Sequence, residues 1–129
     1  MIRPECILSG DNFDPTDLKE KKRDIKIEKI IATGEIGTRG PYKGKPTPYG
    51  LCKITTPDDI LPEDRIKWMT VLISRHIKTC RATGATDIEF SIHWTGRQGN
   101  MEFTSEELKG IADLGIPLTI DYVFEKSED

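Results

Sequence analysis

Glu89 and His93 stand four residues apart in Thr86–Thr95, a segment that alternates apolar and polar side chains. A strand with that pattern puts the carboxylate and the imidazole on one face, about two pleats apart. Such a pair could flank a substrate and exchange a proton with it; the ordinary alternative is a solvated polar strand face. The other histidine, His76, lies in a different segment, and neither histidine has a serine or cysteine in a nucleophile-elbow context, so no triad can be assembled. Cys6, Cys52 and Cys80 are far apart, each within an apolar-patterned segment, and read as buried thiols in a reducing compartment. Only Cys80 has a histidine within four residues, His76 one turn back, and one such pair is too little for zinc. Gly10-Asp11-Asn12-Phe13-Asp14 has the acids of a calcium loop but lacks the ligand spacing, the sixth-position glycine and the closing glutamate. Helix capping explains Asp14 better. The expectation is therefore a chain that is not an enzyme and takes no metal or cofactor, with catalysis by Glu89 and His93 as an alternative.

A second group of residues could bind rather than react. Between Gly37 and Gly50 the chain holds four glycines, three prolines and three positive charges with no negative one, which no helix or strand interior tolerates. Arg39, Lys43 and Lys45 interleave there with Tyr42 and Tyr49, offering phosphate contacts and stacking planes. This long basic loop is the candidate nucleic-acid surface. Against it stand the small number of charges and a sequence pI near 5.5, since nucleic-acid-binding domains are generally basic as a whole. The lysines also miss the GxxxxGK[ST] order of a phosphate cradle. With so few apolar anchors, the loop is expected to be mobile in the free protein.

The elements that must carry these residues follow from periodicity. Cys6–Leu8 suits a first strand. Asp14 caps a short helix from about 15 to 22, with Pro15 at its first position and Phe13 stapled to Leu18. Asp24–Thr33 reads as a strand on its β-branched content, and Leu51–Thr55 as another. The clearest helix runs from Pro62 to Thr83, where Ile66, Met69, Ile73, Ile77 and Cys80 form one apolar stripe. After the Thr86–Thr95 strand, a turn at Gly96–Asn100 leads into a short strand through Phe103. A capping box from Thr104 to Glu107 then opens a helix ending at Leu114-Gly115. In the last strand, Ile116–Glu125, Leu118, Ile120, Tyr122 and Phe124 alternate inward with Thr119, Asp121 and Glu125 outward. The order β-α-β-β-α-β-β-α-β predicts an α+β fold, a largely antiparallel sheet with three helices packed on one face.

At 129 residues the chain is the size of one domain, residues 1–129, and its 36% hydrophobic content is gathered in periodic blocks, as folding requires. No apolar run approaches a membrane span and the start lacks a signal-peptide layout, so a cytoplasmic protein is expected. The charge is uneven. Residues 21–53 hold nine Lys/Arg against three Asp/Glu, whereas residues 54–129 hold eight against fourteen. Strand parity sets Glu89, His93, Asp121 and Glu125 opposite the helices, and that acidic sheet face is the candidate site for a protein partner.

Three stretches carry a resemblance. They are Ser9–Pro15 after the first strand, the glycine-containing Gly34–Gly50, and the closing Glu107–Tyr122, which reads ELKGIADLGIPLTIDY. In these the chain resembles the bacterial family catalogued as domain of unknown function 4279, some of whose members look like immunity proteins encoded beside polymorphic toxins. Around Leu51 the tryptophan usual near the third strand of that family is absent, and Ile25–Thr33 is richer in isoleucine. The resemblance brings no catalytic residues. It implies a protein that neutralises a toxin domain encoded nearby by direct binding, with no membrane partner and no oligomeric state specified.

Overall fold

The structure, a computed structural model, describes residues 1–22, 25–96 and 101–124. Its elements in chain order are β1 (Ile2–Gly10), α1 (Pro15–Lys21), β2 (Ile27–Ile31), β3 (Gly50–Thr55), α2 (Arg65–Ala82), β4 (Asp87–Gly96), α3 (Ser105–Asp113) and β5 (Leu118–Phe124), with single 3-10 turns at Gly40–Tyr42 and Pro62–Asp64. The fold is α+β, three helices against one mostly antiparallel sheet. That sheet is ordered β2-β3-β1-β4-β5. Its one parallel pair is β4–β5, because α3 crosses over between them where a hairpin would have reversed the chain.

Local chemistry accounts for the helix ends. The Asp14 carboxylate accepts from the backbone N–H groups of Thr16 and Asp17, both at 3.1 Å, and Pro15 opens α1. The Thr104 hydroxyl accepts from Glu107 N at 3.1 Å while the Glu107 carboxylate accepts from Thr104 N at 2.8 Å, completing the capping box. The long helix differs from expectation only at its start: Pro62 and the two acids after it form a 3-10 turn before α2 begins at Arg65. Of its stripe, Ile66, Met69, Ile73 and Cys80 are buried and Ile77 is partly buried.

One core lies between the helices and the sheet. It takes Cys6 and Leu8 from β1, Cys52 and Ile54 from β3, and Ile88, Phe90 and Ile92 from β4. These pack under Leu18 of α1, the stripe of α2, and Ile111 of α3. All three helices thus share a face. Glycine is required where the chain after β1 meets the end of α2. Gly84 has φ +104°, and a Cβ there would collide with the Asn12 carbonyl.

Two expectations are corrected. The short strand through Phe103 is not formed at Met101–Phe103; Met101 and Phe103 pack against the core edge instead, and residues 97–100 lie outside the described residues. The inward residues of the last strand do sit on the helix side, since Leu118, Ile120 and Tyr122 pair with Phe90, Ile92 and Trp94. They are nevertheless exposed, because α3 leans on α2, where Gly110 meets Thr70, and does not roof β5. The Gly37–Gly50 segment is a hydrogen-bonded arm: Gly34 N donates to Thr47 O, Thr47 N to Glu35 O, Gly37 N to Lys45 O and Gly44 N to Gly37 O, all at 2.7–2.9 Å.

Candidate functional site

The face opposite the helices is made of alternate residues from every strand, Glu28 of β2 beside Lys53 among them. β1 is central and contributes Arg3, Glu5 and Ile7; β3 contributes Lys53 and Thr55; β4 contributes Asp87, Glu89, Ser91 and His93; β5 contributes Thr119, Asp121 and Val123. Side-chain parity within each strand fixes this set, and the strand order decides which members meet.

At its centre is a polar row. Glu5 is only 4% exposed, and its Oε2 lies 3.1 Å from Lys53 Nζ on one side and 3.0 Å from His93 Nε2 on the other. His93 Nδ1 in turn lies 3.5 Å from Asp121 Oδ2. A carboxylate this buried needs partners, and the two flanking strands each supply one. In the imidazolium form His93 donates toward a carboxylate from each nitrogen. Ser91, buried and directly opposite Glu5, stands beside this row. Neither imidazole nitrogen is turned toward it, so the arrangement is not that of a base and a nucleophile.

Of the four acidic-face residues expected from sequence, the structure brings His93 and Asp121 into contact. It places Glu89 on the same face nearer the start of β4, and Glu125 lies outside the described residues. Glu89 lines a cleft of about 330 Å³ with Ile7, Ser9, Arg81, Asp87 and Pro117. Among the described residues neither Asp87 nor Glu89 has an ion-pair partner. Glu5 and Lys53 were missed by sequence reasoning. The missing signal was the length of β1: extended to Ile2–Gly10, its alternation puts Glu5 on the His93 face.

The basic arm holds its own group. Tyr42 and Tyr49 meet edge to face with centroids 6.0 Å apart, over a cavity of about 300 Å³ that Ile36, Arg39 and Pro41 also line. Lys43 and Lys45 are exposed on the same arm. It springs from the β2–β3 connection, whereas Glu89, His93 and Asp121 belong to the β4–β5 half of the sheet.

The cysteines are unpaired and buried. Burial pushes the Cys52 thiol up to about 12 and the Cys80 thiol up to about 11; Cys6 is driven higher still, with nearby thiols and Glu89 adding to the effect. All three are protonated, unreactive thiols at neutral pH. His76 and Cys80 both face the core. Among the described residues no group of three or more His, Cys, Asp or Glu side chains could hold a metal ion, and no helix is long and apolar enough to cross a membrane.

No family model matches the chain, and neither any curated protein nor any solved structure does.

Proposed function

We propose that this chain is a non-catalytic protein-binding domain whose helix-free sheet face takes a basic protein partner. In line with the family resemblance, we propose a toxin domain encoded nearby as that partner, neutralised by direct binding in the cytoplasm. The observation that carries the reading is the division of charge on that face. Lys53 pairs with the buried Glu5, and although Arg3 shares the face and Arg81 lines the same cleft, Asp87 and Glu89 have no ion-pair partner among the described residues. Carboxylates left without an ion-pair partner on a sheet face steer and hold a cationic surface. Enzyme chemistry by Glu89 and His93 is the weaker reading, since the imidazole is engaged by Glu5 and Asp121. Three unpaired thiols suit a reducing compartment.

The test is a titration of the purified chain with the product of the gene encoded beside it, by calorimetry. Saturable binding that weakens in a Glu89→Lys variant supports the reading. Saturable binding indifferent to that change moves the site elsewhere, and no binding ends the proposal for that partner.

The arm supports a second reading, a nucleic-acid accessory protein, because Arg39, Lys43 and Lys45 are exposed beside the Tyr42–Tyr49 pair. Affinity for bulk RNA that falls steeply with salt and disappears in Lys43→Ala/Lys45→Ala would favour it over the first.

A further inference from the structure

The outer edge of β5 is unlike any other part of the sheet. Leu118, Ile120, Tyr122, Val123 and Phe124 are 40%, 42%, 43%, 55% and 59% exposed, whereas the core residues of β1, β3 and β4 are almost fully buried. β5 ends the sheet, and among the described residues no strand lies on its other side. Soluble proteins guard such edges with lysine, proline, a bulge or a covering element. Leu118–Phe124 has no lysine, arginine or proline, pairs with β4 without a register shift, and is not roofed by α3. Its one charge is Asp121. A long, regular, apolar edge is a template for a further strand.

We infer that two copies of this chain pair antiparallel along β5, about a two-fold axis at Tyr122, and continue one sheet through the dimer. The strand's own composition selects the occupant. An added strand must set large apolar side chains against Ile120, Tyr122 and Phe124 on the helix side, and on the other side must put no carboxylate opposite Asp121. A second copy of β5 meets both conditions. Ile120 faces Phe124 of the second copy, the two Tyr122 residues face each other, and Asp121 faces Val123. A two-fold axis one residue earlier would oppose the two Asp121 carboxylates, which like-charge repulsion disfavours. The aromatic groundwork exists in the single chain: Trp94 and Tyr122 stack with centroids 4.5 Å apart, and Phe124 lies 6.5 Å from Tyr122. Pairing extends that ladder from Trp94 of one copy through both tyrosines to Trp94 of the other. The contact is isologous and closes on itself, so it caps the edge and does not propagate. It stands whether or not a basic partner binds the open face.

The experiment uses the full chain. Light scattering on a sizing column should give twice the chain mass of 14.6 kDa at concentrations of about 100 μM, with dissociation on dilution. Ile120→Lys and Phe124→Lys alter exposed side chains, so they should keep the wild-type circular dichroism and run as monomers. Tyr122→Cys tests the register. Directly opposed residues of an antiparallel pair lie roughly 4.5–5.5 Å apart at Cα, within disulfide reach, so mild oxidant should cross-link this variant into dimers. Thr119→Cys should stay uncross-linked, because its counterpart in the second copy lies roughly 20 Å away in this register. The native thiols are buried and do not compete. A wild type that remains monomeric at about 100 μM would overturn the inference and leave the edge to a strand from another protein. A dimer that survives Ile120→Lys, or that cross-links through Thr119→Cys as readily as through Tyr122→Cys, would overturn it too.

Discussion

His93 Nε2 on β4 lies 3.0 Å from Glu5 Oε2 on β1, across the strand pair at the middle of the sheet. The same carboxylate oxygen also accepts from Lys53 at 3.1 Å, so one buried anion ties three neighbouring strands together. Removing it takes away the carboxylate partner of both Lys53 and His93 in a partly buried place. Glu5→Ala should lower unfolding stability by about 1–3 kcal/mol, the usual cost of orphaning buried polar partners, read by urea denaturation. A double-mutant cycle with His93→Ala should show coupling, whereas a cycle pairing Glu5→Ala with the distant Lys43→Ala should be additive.

The two ends of this contact were not equally legible in the sequence. Alternation in Thr86–Thr95 puts Glu89 and His93 on one face, and alternation in the last strand adds Asp121, all as observed. Local chemistry likewise predicts the Asp14 cap, the Thr104–Glu107 box and the α2 stripe, because each is set by residues within a turn or two. Strand order is a different matter. That β1 sits between β3 and β4, and so carries Glu5 to both Lys53 and His93, is decided by pairings forty or more residues apart in sequence, which no local period records. Parity also tells which side of β5 Ile120 and Tyr122 occupy, but whether a helix covers that side depends on where α3 comes to rest.

Gly84 and Gly115 separate two reasons for glycine. Both have positive φ, +104° and +65°, but a Cβ on Gly84 would collide with the Asn12 backbone while one on Gly115 meets nothing within 4 Å. Gly115→Ala should cost about 1–2 kcal/mol, the strain of a left-handed residue alone. Gly84→Ala should cost clearly more, since the Ser9–Pro15 loop must also shift. Thermal unfolding of the two variants side by side checks the ranking.

Alkaline pH should weaken the fold through its thiols. The folded-state values of Cys52 and Cys80, about 12 and about 11, lie above the ordinary value of 9.0. Their contribution is therefore complete below about pH 9 and lost as pH rises toward 11 and 12, with each thiol costing up to about 1.4 kcal/mol per pH unit. Urea midpoints between pH 8 and 10 should fall, and should fall less steeply in Cys52→Ala. A thiol reagent at pH 8 should modify the native protein only as fast as it unfolds.

The arm that the sequence marks as mobile is expected to hold its shape. Amide exchange at Gly34, Gly37, Gly44 and Thr47, each donating to a backbone carbonyl, should be slower than at Thr38, which forms no such bond among the described residues. Equal, fast exchange at all five would mean the hydrogen bonds of the arm are open most of the time in solution.

Association kinetics with the neighbour-encoded protein test the acidic face most directly. Stopped-flow mixing of the wild type and of Glu89→Lys/Asp121→Lys, at low and at high salt, separates steering from contact. The charge-reversed protein should associate at least about tenfold more slowly at low salt. The gap should narrow at high salt, where screening has already removed the long-range attraction. Equal association rates at low salt, with circular dichroism showing both proteins folded, would contradict binding through this face.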